Sequence, residues 1–285
     1  MNFDEFIIRN TIRIECMTAM GIATGTGFFF EFTYDEESKI PVIVTNKHVV
    51  KGGITGKLVF SIANDNREII ENKKYEIVVE NFEQTWIMHP DDSVDLCVLP
   101  IAPLCDDASK KGKKLAIAML SKENIISGDI INKISKVEEI TVVGYPDGIW
   151  DSFNNLPIVR RGITATPIAY NFENKKRFLI DSAIYGGSSG SPVYIFNQGA
   201  YQLENTLYAG SRLMLVGIIF AVAQHTVTGD LTFVDVPVSK QPITITQIPN
   251  NLGVVIKAEE LLVFEEILKN IVNYKGTFHN GFNIE

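Results

Sequence analysis

Three positions in this chain have the residue types and spacing to do chemistry together. The first is Ser189, at the apex of Gly187-Ser-Ser189-Gly190-Ser-Pro192. Residues 186–191 are all Gly or Ser, with an apolar run on either side. Such a loop has little to bury, turns tightly, and leaves backbone N–H groups free to point at a ligand. A serine hydroxyl is a weak nucleophile at its own pKa, so it needs a base and a group that orients the base. His48 closes the apolar run Ile40-Pro-Val-Ile-Val-Thr-Asn-Lys-His48, which puts it at a strand end. Asp95 opens Asp95-Leu-Cys-Val-Leu-Pro100, where a carboxylate at the head of an apolar strand is expected to be half-buried and hydrogen-bonded. Each has a plain structural reading: a satisfied strand-end histidine, a turn aspartate, a turn-forming serine. Together they point to nucleophilic catalysis.

The order His48, Asp95, Ser189 carries a resemblance. Thr45-Asn-Lys-His48-Val-Val50 resembles the histidine motif of chymotrypsin-fold serine proteases of the HtrA type. Asp95-Leu-Cys-Val-Leu resembles their aspartate motif, and Gly187-Ser-Ser-Gly-Ser-Pro192 their G-N-S-G-G-P. The motifs stand 47 and 94 residues apart, in the family's order and spacing. Weaker matches are Gly25-Thr-Gly-Phe28, Gly144-Tyr-Pro146, Leu215-Val-Gly-Ile-Ile219 and Leu252-Gly-Val-Val-Ile256, so the likeness extends over most of the chain. Two positions depart from the pattern. Ser191 stands where the family usually has Gly, a change expected to be tolerated. Ser188 stands where trypsin-like digestive enzymes have an Asp that pairs with a newly cut N-terminus, so this chain is expected to need no such cut.

The resemblance implies an all-β fold of two antiparallel β-barrels with a C-terminal helix, and a serine endopeptidase. His48 would be the general base, Asp95 would hold its tautomer, and Ser189 would attack the peptide carbonyl. The N–H groups of Gly187 and Ser189 would form the oxyanion hole. Ala183 would lie near the base of the primary specificity pocket, and Ile219, Phe220 and Ala221 would pair with substrate backbone. No acid occupies the pocket base, so a small or medium apolar residue is expected at the cleaved position. The rival reading is a protease-fold protein with a silent or switched-off triad, acting as a peptide-binding or regulatory module.

The elements that must position these residues read as short strands. In 11–103 they are 12–17, 25–32, 41–44, 57–63, 75–82 and 96–100; later ones are 140–144, 156–168, 177–184, 193–196, 213–222, 231–236 and 252–256. The first barrel is expected to occupy residues 1–115 and the second 116–285. Between them, 104–135, with its basic run Lys110-Lys-Gly-Lys-Lys114, reads as an exposed connection. Leu261, Phe264, Leu268, Ile271 and Val272 repeat at helical spacing, so a helix is expected over about 258–274, packed on the second barrel. With only a few residues beyond it, no peptide-binding PDZ domain is expected.

Composition narrows the alternatives. The chain has 285 residues, 46% of them hydrophobic, enough for two sizeable cores. Its net charge of −8 argues against a nucleic-acid surface. No apolar run reaches bilayer-spanning length, and the N-terminus does not resemble a secretory signal, so no membrane role is expected. Three irregularly spaced cysteines fit a reducing cytoplasm and no metal site, and no cofactor is implied. The expected partner is a protein or peptide substrate; a regulatory partner is left open. His89, His225 and His279 are taken as structural, with His225 following the strand expected to line the cleft. An α/β-hydrolase would need Gly at 191 and alternating helices. A phosphate loop would need a following Lys and a helix.

Overall fold

In the computed structural model, the structure describes residues 2–66, 68–227 and 246–275. Among the described residues the strands are β1 Thr11–Thr18, β2 Gly21–Thr33, β3 Lys39–Thr45, β4 Gly53–Ala63, β5 Ile69–Glu80, β6 Ile87–Met88 and β7 Cys97–Pro100 in the first half. The second half holds β8 Glu139–Gly144, β9 Ile158–Thr164, β10 Arg177–Ser182, β11 Pro192–Asn197, β12 Ala200–Leu203, β13 Thr206–Ala209, β14 Arg212–Val227 and β15 Thr246–Lys257. The α-helices are α1 Phe3–Arg9, α2 Lys47–Val50, α3 Ala102–Lys110, α4 Gly128–Ile131 and α5 Val263–Lys275. The expected strand at 231–236 and His279 lie outside the described residues.

The fold is mostly β and consistent with the chymotrypsin type. The second half closes into a six-stranded antiparallel barrel in the order β10-β15-β14-β11-β8-β9. The first half is a seven-stranded sheet, β5-β4-β1-β2-β3-β7-β6. A flat sheet would hold β5 and β7 five strand spacings apart, roughly 24 Å. Yet Ile77 and Val79 of β5 share one buried cluster with Ile14, Leu58 and Leu99, so the sheet must curl around a common core. A second cluster, with Val142, Phe178, Val193, Val216 and Val255, fills the barrel.

The cluster that matters for the site belongs to both halves. Phe28, Phe30, Val44 and Val98 from the first sheet pack with Tyr194, Leu215 and Ile218 from the barrel, and with Phe264 and Leu268 from α5. The terminal helix therefore seals the seam between the halves as well as covering the barrel. Its first turn is tighter than expected, since 258–262 form a 3-10 turn before α5 begins. Asn10 ties the same seam with polar contacts: its amide donates to the carbonyls of Phe29 (2.7 Å) and Ala118 (2.8 Å) and its oxygen accepts from Tyr194 (2.6 Å).

Two segments differ from expectation. Residues 104–135 are not a wholly exposed connection. Leu104 and Ala108 share the inner face of α3, and Ala118, Leu120, Ile126 and Ile134 are buried as well. Their apolar spacing lies beside the conspicuous lysines, which remain at the surface from the last residue of α3 onward. The additional helix α1 is capped by the Asn2 side chain, which accepts from the Glu5 N–H, with Asp4 and Glu5 at the dipole's positive end and Arg9 in the last turn. The connection from β11 to β14 is the hairpin β12–β13, in which Tyr201 and Tyr208 stack. Among the described residues no helix is long and apolar enough to cross a membrane.

Leu268 is fully buried at the seam. Leu268→Ala should lower unfolding stability by about 3 kcal/mol, the usual cost of a transfer loss plus a residual cavity. A urea titration followed by circular dichroism checks this; a loss below about 1 kcal/mol would mean that α5 does not seal the core.

Candidate active site

His48 sits on a single helical turn, α2, three residues beyond the end of β3. Asp95 lies just before β7, which pairs with β3, so the sheet register brings the two together: Thr45 opposes Cys97. One carboxylate oxygen of Asp95 accepts the backbone N–H of His48 (3.1 Å), and the other meets His48 Nδ1 at 2.5 Å. Asn46 braces the aspartate from behind, donating its amide to the Asp95 carbonyl (2.7 Å). Asp95 is partly buried, with a quarter of its side chain exposed, as expected of an acid at the head of an apolar strand. With a carboxylate on Nδ1, the neutral imidazole carries its proton there and leaves Nε2 as an acceptor.

Ser189 reaches the same junction through Thr26, a residue of β2 to which the sequence reading gave no role. The Thr26 N–H donates to the Ser189 carbonyl (2.9 Å). Its hydroxyl donates to the Gly187 carbonyl (3.0 Å) and accepts from the Tyr145 N–H (3.0 Å). The Thr26 carbonyl accepts from Thr45 Oγ1 (2.7 Å), and Thr45 is three residues before His48. One threonine thus joins the serine loop, the Gly144-Tyr-Pro146 segment and the strand leading to the histidine. The Gly25-Thr-Gly-Phe28 motif was the available signal. Among the described residues no hydrogen bond joins Ser189 Oγ to His48.

The loop's peptide planes are fixed by their carbonyls. That of Gly186 accepts from the Asp147 N–H (2.5 Å), and that of Ser188 from the Ser191 N–H (3.0 Å). No peptide bond among the described residues is cis, so the N–H across each plane points the opposite way. These are the N–H groups of Gly187 and Ser189. They, and that of Gly186, have no acceptor among the described residues.

Glycine is required at two positions of this turn. Gly187 has φ +75°, and a Cβ there would lie 2.6 Å from the Tyr145 carbonyl. Gly190 has φ +84°, and a Cβ would lie 1.9 Å from the Thr26 carbonyl. The serine at 191 is accommodated because Gly144 faces it: a Cβ on Gly144 would lie 2.1 Å from Ser191 Oγ.

The positions expected to contact substrate divide. Ala183 follows β10 and is exposed, presenting a methyl group. Ile219 is a correction. Its N–H donates to the Ser191 carbonyl (2.9 Å) and its carbonyl accepts from the Gly190 N–H (2.8 Å), so its backbone already supports the serine loop. The expectation of substrate pairing passes to Phe220 and Ala221 on the same strand. Phe220 also lines an open cleft of about 450 Å³ with Asp91 and Val94 from the first half and Lys175, Arg177 and Glu260 from the second. His225 continues β14 opposite Ile248. His89 is buried on Phe264 and accepts the Asp91 N–H, which accords with a structural role.

Known proteins similar to this chain include proteases. Solved structures similar to the chain include the HtrA-type protease AlgW with tripeptide (TM-score 0.49, 15% identity), covering 96% of this chain and 64% of that one. Another is the serine endoprotease from Yersinia pestis (TM-score 0.47, 15% identity), covering 95% of this chain and 67% of that one. The chain therefore spans about two thirds of the length of these proteins. No curated protein matches it. Residues 25–200, more than half of the chain, match the family described as trypsin-like peptidase domain, and the protein belongs to that family.

Proposed function

We infer that the protein is a serine endopeptidase that cleaves peptide bonds through an acyl-enzyme formed on Ser189. The observation that carries this reading is the pair of peptide planes at Gly186–Gly187 and Ser188–Ser189, whose N–H groups are turned away from their anchored carbonyls and left without acceptors. Two such donors beside a serine suit the oxyanion of a tetrahedral intermediate, where one donor lowers the barrier by about 3 kcal/mol.

His48 takes the proton of Ser189 Oγ as the hydroxyl attacks, and returns it to the leaving amine. Asp95 keeps Nδ1 protonated and stabilises the imidazolium that forms. Water then enters, and the same base activates it to release the acyl group. The missing Oγ-to-His48 hydrogen bond is consistent with this scheme, because catalytic hydrogen bonds in unliganded sites commonly tighten only when substrate binds. It is also the observation that favours the second reading, a peptide-binding module whose triad does not engage.

The methyl of Ala183, with no carboxylate at that position, favours small or medium apolar residues at the cleaved bond. Phe220 and Ala221 offer the strand edge along which a peptide would lie.

Three outcomes are expected. A fluorophosphonate probe should label Ser189 in the purified protein, located by mass spectrometry, and labelling should vanish in Ser189→Ala and His48→Ala. A folded protein that takes no label would favour the module. Thr26→Ala strands the Gly187 carbonyl and the Tyr145 N–H, costing about 1–3 kcal/mol of stability and slowing labelling, while Thr26→Ser retains both. Unchanged urea midpoint and labelling rate in Thr26→Ala would remove Thr26 from the account. A peptide-library cleavage profile should be led by apolar residues; one dominated by Lys and Arg would contradict the specificity assignment.

A further inference from the structure

Strand β9 alternates between exposed residues at 159, 161 and 163 and less exposed ones between them, and Arg160 falls on the inward set. A cation turned into a barrel is costly unless its donors are used. No carboxylate lies within ion-pair distance of Arg160 among the described residues, and its Nε and Nη2 are buried without partners. Its Nη1 is fully committed. It donates to the Ala183 carbonyl (2.9 Å) and to Ser188 Oγ (2.8 Å). Burial pushes the guanidinium down to about 10, against the attraction of Asp147 and Tyr185.

The two acceptors bracket the Gly186–Gly187 turn. Ser188 is itself fully buried, its hydroxyl also accepts the Tyr185 N–H (3.4 Å), and its carbonyl belongs to the peptide that presents the Ser189 N–H. A shift of Ser188 would rotate that peptide plane. The guanidinium holds from inside the chain the residue that must stay still for the two N–H groups to converge.

We propose that Arg160 is a positioning residue that holds the serine loop in its working conformation through Ser188 and Ala183, so that the chain needs no cut N-terminus to order its oxyanion donors. The inference rests on the serine endopeptidase reading. It also gives the serine at 188 a function: a neutral acceptor suits a guanidinium already supplied by β9, where an aspartate would add a second buried charge.

The test compares second-order rates of fluorophosphonate labelling at Ser189 in the full chain, with urea midpoints measured alongside. Arg160→Met should slow labelling on the order of 100-fold, the size of effect seen when one oxyanion donor is lost. Ser188→Ala should slow it by about 10-fold, and the double variant should be no slower than Arg160→Met, because the two act as one contact. Arg160→Lys should recover part of the rate. Should Arg160→Met fail to fold, Ser188→Ala, which keeps the guanidinium, and Arg160→Lys carry the test.

Multiplicative losses in the double variant, or rates that fall only in step with the urea midpoint, would assign Arg160 to general stability and overturn the proposal. Equal labelling of wild type and Arg160→Met would overturn it while leaving the peptidase reading intact. Absence of label in the wild type would sink the peptidase reading itself, and the proposal with it.

Discussion

The orientation of two peptide planes is the constraint on which the rest of this structure depends. Carbonyls at Gly186 and Ser188 are anchored, to Asp147 and to Ser191, and trans geometry then turns the N–H groups of Gly187 and Ser189 the other way. A loop of glycine and serine has no side chains large enough to hold such an arrangement by packing. The holding must come from outside. Thr26 supplies two hydrogen bonds to the loop from the first sheet, Ile219 supplies two from the barrel wall, and Arg160 adds one to Ser188 and one to Ala183 just before the loop. Glycine at 187 and 190 is the counterpart of this grip, since a Cβ at either position would strike backbone.

This dependence explains why the halves share a core. His48 and Asp95 are carried by the first half, next to β3 and β7, and Ser189 precedes a barrel strand, so any sliding between halves would separate them. Phe28 and Phe30 against Tyr194, Leu215 and Ile218, closed by Phe264 and Leu268, make the seam a continuous apolar contact. Packing at native density resists displacement in a way that a hydrated domain boundary does not. The Asn10 contacts work in the same direction: its buried amide finds partners in β2, in the connection at Ala118 and in Tyr194 of the barrel.

Much of the fold was legible in the sequence, and the reasons are specific. Strand positions followed from β-branched and aromatic runs bounded by turn residues, and α5 from an apolar stripe at helical spacing. His48 and Asp95 stood out because each polar group interrupts an apolar run, and their pairing follows from the β3–β7 register. Thr26 was hidden because a threonine in a strand is ordinary; only the three-dimensional junction reveals its partners. Arg160 was hidden because one half-buried cation in an alternating strand looks like a surface residue until its contacts with Ala183 and Ser188 are seen. Ile219 carried a motif resemblance that pointed to substrate, whereas its hydrogen bonds are spent on the serine loop. In 104–135 the lysine run drew attention from Leu104 and Ala108, whose spacing already described the buried face of a helix.

The central claim is that the serine loop is already set to receive an oxyanion. The most direct measurement is a crystal structure of the protein reacted with a peptide boronate carrying a small apolar residue at the boron. A bond from Ser189 Oγ to boron is expected, with one boron-bound oxygen within about 2.7–3.1 Å of the nitrogens of both Gly187 and Ser189. The Gly186 carbonyl should remain on the Asp147 N–H. An adduct whose oxygen faces solvent, or a Gly186–Gly187 peptide that must flip before the boronate binds, would contradict that claim.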